Sequence, residues 1–140
     1  MTPGSSAEPT SWRQFLTDAR IGVIATVGED GQPHAVPVDL LFFEGCVYVW
    51  CKRSSRKAKN AQQHGIAAVV AYRGNSGVMV RGPITAIGEE AGVHYGTIKK
   101  AFQLKFSDRS DPEDYGNDCL LRLLPEVRIP FGPRLVLLRD

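Results

Sequence analysis

The sequence predicts a mainly β domain with short helices, its six or seven strands rolled into one small barrel, closed or partly split. Three observations predict it. Short apolar, β-branched runs recur between Gly, Pro, Asn and Asp turn signals, the pattern of antiparallel hairpins. Strands do not alternate regularly with long helices, which excludes a doubly wound fold. A length of 140 residues with 43% hydrophobic side chains supports one core and is too short for two. Closing such a sheet also removes its exposed edges.

Residues 1–10 form a tail rich in Ser, Pro, Thr and Gly, and residues 11–140 form the single domain. A short helix opens it: Ser11 caps, Gln14 holds the capping-box position, and Trp12, Phe15 and Leu16 share one face. Too short to stand alone, this helix must lie on the sheet and close one end of the barrel. Ile21 to Val27 is a buried strand, and Gly28 to Gly31 a tight turn. Gln32 to Phe43 continues as a second strand, whose Pro33 and Pro37 require an edge, a bulge or a cavity beside them. After Glu44-Gly45, Cys46 to Cys51 is a third strand with Val47 and Val49 on one face and Tyr48 and Trp50 on the other.

A helix capped by Ser54 or Ser55 runs to about Gln63, turns Ala58 and Ala61 inward and stops at Gly65. Ile66 to Arg73 is a fourth strand, and Val78 to Gly88 a fifth, bent at Gly82-Pro83. Glu89 and Glu90 favour the start of another helix, which gathers Ala91, Tyr95, Ile98 and Phe102 on one face and Lys99, Lys100 and Lys105 near its end. Gly92 and Gly96 weaken that helix, which points to close packing there. Asp108 to Asn117 is a polar loop. Cys119 to Ile129 and Arg134 to Leu138 are the last strands, separated by Pro130 to Pro133.

Composition narrows the function. Seventeen basic and fifteen acidic residues leave a net charge of +2, too little for a protein that coats nucleic acid. No apolar run approaches the roughly twenty residues of a membrane span, and the first ten residues lack a secretory pattern. Three cysteines without a CxxC motif indicate a reducing, cytoplasmic setting. Cys46 and Cys51 point to opposite faces of one strand and should not bridge. GxGxxG, P-loop, HExxH and GxSxG motifs are absent. His34, His64 and His94 lack ligand spacing, so no metal site and no catalytic protein nucleophile are expected.

The informative segment is Lys52 to Lys59, which holds Lys52, Arg53, Arg56, Lys57 and Lys59. A serine-rich helix start offers free backbone N–H groups, two hydroxyls and adjacent cations, which together satisfy a phosphate. Arg56 supplies a bidentate fork and Lys57 a point charge. The same composition equally describes a solvated positive helix face.

In order and spacing, several segments resemble the flavin-binding split β-barrel family related to pyridoxamine 5'-phosphate oxidase. They are Arg20 to Val27, Asp30 to His34, Val36 to Val38, Ser54 to Ala61, and Val78 to Ile84. The resemblance covers roughly residues 11 to 130. It implies an FMN-binding-like fold, FMN as cofactor (a deazaflavin coenzyme in some branches), and a cleft between two barrels of a homodimer. It also implies that Lys57 contacts the phosphate with Ser54, Ser55 and Arg56 beside it, that the strand of Thr26 frames the site, and that Val36, Pro37 and Val38 lie near the ring. Full-length pyridoxamine 5'-phosphate oxidases end in a basic substrate-binding segment without a clear counterpart in Leu135 to Asp140. The expectation is therefore one of the smaller branches rather than vitamin B6 synthesis.

The function expected is that of a flavin-dependent oxidoreductase that passes hydride or electrons to a small molecule, with no nucleic-acid or membrane partner. The alternatives are a non-catalytic flavin-binding, storage or sensing protein, and an interaction barrel whose cofactor site has decayed.

Overall fold

The computed structural model describes residues 10–108, 117–132 and 137–138. The expected tail through Pro9, most of the Asp108 to Asn117 loop, and Arg134 to Val136 lie outside the described residues.

The chain runs β1 (Thr10–Ser11), α1 (Trp12–Asp18), β2 (Ile21–Val27), β3 (Pro33–Asp39), β4 (Leu41–Phe43), β5 (Cys46–Lys52), α2 (Arg56–His64), β6 (Ile66–Arg73) and β7 (Ser76–Ile87). It continues through a 3₁₀ turn (Glu89–Ala91) to α3 (Val93–Lys105), β8 (Asp118–Leu123), β9 (Val127–Phe131) and β10 (Leu137–Leu138). Seven strands form one antiparallel path, β3-β2-β6-β7-β8-β5-β4, and β9 pairs with β7 off that path; β1 and β10 make a separate parallel pair. This is the mainly β, split-barrel architecture.

β7 joins the two halves. Its first half, Gly77 to Arg81, pairs with β9, and its second, Ile84 to Ile87, pairs with β8. The expected bend at Gly82-Pro83 sits between them. A Cβ on Gly82 would lie 1.9 Å from the Leu124 carbonyl oxygen, so only glycine admits the crossing chain there. That crossing also divides the expected Cys119 to Ile129 strand. Leu124 N–H donates to Pro83 O at 2.9 Å and Glu126 N–H to Arg81 O at 3.1 Å, holding a break between β8 and β9.

The expected Gln32 to Phe43 strand is likewise two strands. The break falls at Leu40, a buried side chain whose N–H donates to Arg20 O at 2.9 Å. β3 then remains with β2, while β4 pairs with β5 at the opposite end of the path. One residue thus connects the two outermost strands, so the sheet has to curl until its edges meet there.

Ile24, Val69, Val78 and Val80 of one half face Val47, Val49, Leu121 and Leu123 of the other across the interior. Each such buried aliphatic side chain contributes about 1.5–3 kcal/mol. α1 closes this core with Trp12, Phe15 and Leu16, and α2 with Ala58 and Ala61. Ser11 caps α1 by accepting from Gln14 N–H, but the Gln14 amide donates to Asp18 and does not make the reciprocal capping-box bond. α3 covers the outer face of β4, β5 and β8, placing Tyr95, Ile98 and Phe102 against Tyr48 and Leu120. It starts later than expected, at Val93. Its glycines are not packing contacts: a Cβ on Gly96 meets no atom within 4 Å, and Gly92 serves a positive φ of 63° at the N-cap. Among the described residues, no helix is long and apolar enough to cross a membrane.

Candidate functional site

The two outer strands meet at Leu40 and leave a cleft beyond it. Pro37, Val38 and Asp39 of β3 form one wall and Trp50, Cys51 and Lys52 of β5 the other, with Ile21 alongside and Ser54, Ser55 and Lys57 closing the end. The volume is about 440 Å³. As the sequence requires, Pro33 and Pro37 lie on an outermost strand, where no ladder donor is needed on the free side.

α2 supplies the polar end. Ser55 has extended backbone and caps the helix, its Oγ accepting from Ala58 N–H at 3.3 Å and donating to Lys52 O at 2.7 Å. That hydroxyl is engaged within the turn. The N–H groups of the first helical turn have no intrahelical acceptors, and the helix dipole places partial positive charge there. Lys57 and Lys52 add full charges, so this end of the cleft attracts an anion.

The Trp50 wall is held from behind. Trp50 Nε1 donates to Asp118, which also accepts from Tyr95 Oη at 3.0 Å and pairs with Lys99 Nζ at 3.2 Å. Burial opposes ionisation of Asp118, but bonds from Trp50, Lys99 and Tyr95 prevail and hold its carboxyl below the usual range. Burial and the same carboxylate raise the Tyr95 phenol. Phe102 packs edge-on against the Trp50 ring, with centroids 5.9 Å apart.

The structure gathers Ser54, Ser55, Lys57, Pro37 and Val38 around this cleft. It does not bring Thr26, Val36 or Arg56 to its lining. Thr26 is buried at 2% exposure and accepts from Asn60 Nδ2 at 3.1 Å. Val36 packs against the barrel core. Arg56 points into a second cavity of about 350 Å³ shared with Gly28, Asp30, His34 and Asn60. His34 Nδ1 is buried there without a hydrogen-bond partner. Lys52, part of the basic segment legible in the sequence, also lines the main cleft, as do Asp39, Cys51 and Ile21, which the sequence does not mark as site residues. Strand alternation from Pro37 reaches Asp39; the other two depend on which strands face each other, for which the sequence carries no local signal. Among the described residues, no three His, Cys, Asp or Glu side chains converge as a metal site.

Beside the cleft lies an uncovered apolar sheet face. Ile21 and Val27 of β2, Ile66 and Tyr72 of β6, and Ile129 and Phe131 of β9 are exposed, Tyr72 to 53%. Cross-strand register places Val23 opposite Pro37 and Val70, and Met79 opposite Ile129, on the same side. Ile21 and Pro37 belong both to this face and to the cleft.

The sequence profile described as pyridoxamine 5'-phosphate oxidase matches residues 9–125. Among solved structures, General Stress Protein 26 from Bacillus anthracis str. Sterne has a TM-score of 0.67 and 23% identity, covering 85% of this chain and 89% of that one. An FAD-binding protein from Mesorhizobium loti has a TM-score of 0.64 and 21% identity, covering 81% and 86%. An F420 reductase has a TM-score of 0.67 and 16% identity, covering 87% and 98%. At these identities the likeness is one of fold. No curated protein shows significant sequence similarity to the chain.

Proposed function

The chain belongs to the pyridoxamine 5'-phosphate oxidase family, and from that premise we propose that it is a flavin-dependent oxidoreductase. FMN, or alternatively a deazaflavin coenzyme, lies in the cleft between β3 and β5, and hydride or electrons pass to a small molecule. Family and fold support a flavin-binding, oxidoreductase-type function. The observation that carries the finer reading is the two-ended cleft, with a cation-bearing helix start at one end and Pro37, Val38, Ile21 and Trp50 along its length. A phosphate fits the first and a planar ring the second.

Lys57 and the first-turn N–H groups of α2 hold the phosphate, with Ser54 beside them; Ser55 fixes the turn through its cap. Arg56 contributes its charge from outside the cleft, and Thr26 supports α2 through Asn60. Val36 backs Pro37 and Val38, which together with Trp50 exclude water from the ring. When bound, the cofactor supplies the redox chemistry. The solved F420 reductase of similar fold supports the deazaflavin alternative.

A homodimer completes this reading. The apolar face exceeds what isolated surface residues account for, and it runs into the cleft through Ile21 and Pro37. A second copy on that face buries it and covers the cleft by two-fold symmetry.

Mass and absorbance of the copurifying compound test the cofactor: two flavin bands support FMN, and a single deazaflavin band supports the alternative. Colourless protein that gives no response on titration with either cofactor overturns the proposal. Reduction by a nicotinamide donor followed by turnover with an acceptor distinguishes an enzyme from a carrier.

A further inference from the structure

We propose that Cys51 and Cys119 form a peroxide-reactive dithiol that closes to a disulfide across β5 and β8, with Cys51 as the attacking thiol. The proposal does not require a bound cofactor, although Cys51 borders the same cleft that the cofactor reading fills. All three cysteines are free, and the antiparallel register places Cys51 directly opposite Cys119. Directly opposed residues on antiparallel strands have Cα atoms about 4.5 or 5.5 Å apart, depending on the pair type. Either spacing lies within the roughly 4.4–6.8 Å that a disulfide spans. Both side chains join the interior cluster, so they project to the same side of the sheet. Cys46 belongs to the opposite face and has no such partner cysteine.

The roles differ because the surroundings differ. Cys51 is itself buried, at 4% exposure, but it borders the cleft, the route a small oxidant would take, whereas Cys119 has 0% exposure and does not line the cleft. The Cys119 thiol, then Ser55 and Lys57, favour the Cys51 thiolate and hold its pKa near 7 against the effect of burial. The interaction with Cys51, together with burial, raises Cys119, keeping it a protonated donor until it is needed.

The chemistry balances with one peroxide. The Cys51 thiolate attacks the peroxide oxygen and breaks the O–O bond. One oxygen stays on sulfur as a sulfenic acid, and the other leaves as water after taking a proton. Cys119 sulfur then attacks the sulfenic sulfur, forming the S–S bond; the hydroxyl leaves with the Cys119 proton as a second water. Two thiols are oxidised and one peroxide is reduced.

Treating the full chain with hydrogen peroxide at pH 7 tests this, with thiol titration after unfolding and peptide mapping by mass spectrometry. The expected result is loss of two of the three thiols, a Cys51–Cys119 linked peptide, and full recovery with dithiothreitol. Cys119→Ser should stop at a Cys51 sulfenic acid that dimedone traps. Cys51→Ser should leave Cys119 unoxidised on the time scale of the wild-type reaction, because its side chain is sealed from the oxidant and burial disfavours its thiolate. Three surviving thiols, a Cys46 disulfide between chains as the only product, or wild-type Cys51 oxidising to sulfinic acid without a cross-link each overturn the proposal.

Discussion

Asn60 Nδ2 of α2 donates to Thr26 Oγ1 of β2 at 3.1 Å, with both side chains excluded from water. This bond ties the cation-bearing helix to the barrel wall. Thr26→Val keeps the shape and removes the acceptor, leaving a buried amide donor unpaired. The expected loss of stability is about 1–3 kcal/mol in urea unfolding, with Thr26→Ser largely neutral. Equal midpoints for Thr26→Val and the wild type would show that the bond contributes nothing.

Lys57 lines the cleft, whereas its neighbour Arg56 lies in the second cavity. Lys57→Ala should therefore weaken FMN binding by about 1–3 kcal/mol, the cost of a lost charge-assisted bond. Arg56→Ala should cost clearly less. Fluorescence quenching of FMN by each variant measures both, and a larger loss at Arg56 would reverse the assignment.

The legibility of this molecule from sequence follows the range of each signal. Alternation in Cys46 to Cys51 placed Val47 and Val49 on one face and Tyr48 and Trp50 on the other, and both faces are so used. The serine cap, inward alanines and terminating glycine of α2 were legible because they are local. The breaks at Leu40 and at Leu124 to Glu126 were not, since each depends on which strand lies alongside rather than on residue type. For the same reason Cys51 read as an isolated core thiol until the β5–β8 register set Cys119 opposite it. Asn60 was missed because a buried amide on a helix resembles a solvated one until its partner on β2 is known.

Two glycines should respond in opposite directions to alanine. A methyl on Gly96 enters open space, so Gly96→Ala should stabilise the protein by about 1 kcal/mol through helix propensity alone. A methyl on Gly82 meets the Leu124 carbonyl oxygen and the β8–β9 crossing has to move, so Gly82→Ala should destabilise by more than that. Thermal unfolding of both variants checks the pair.

Asp118 makes acid stability depend on the Trp50 wall. Its folded pKa lies below the ordinary 3.8, so the unfolded chain binds the proton more readily. The resulting stability is complete above the unfolded value and disappears as pH falls through the folded one. Asp118→Asn should therefore lose stability at neutral pH and show a flatter decline below about pH 4. Urea midpoints of both proteins across that range measure the difference, and parallel curves would remove Asp118 from the explanation.

Lys105 should act at the alkaline end with the opposite linkage. Its Nζ donates to Leu40 O at 2.7 Å and to Ala19 O, so the end of α3 grips the chain where β3 passes into β4. Burial, then Arg20, lowers its pKa from 10.5 to about 8, while Asp18 and Asp39 pull it upward. Between those two values the unfolded chain retains a proton that the folded chain has released. Stability arising from this group therefore rises with pH across the window. The neutral amine still carries two N–H donors, enough for both carbonyls, so deprotonation removes the cost of a buried charge without breaking the grip. Lys105→Met should abolish the rise and lower stability throughout, because both carbonyls lose their donor. Unfolding free energies of the two proteins from pH 7 to 10 test this, and a wild-type-minus-variant difference that falls with pH would show the grip to depend on the charged form.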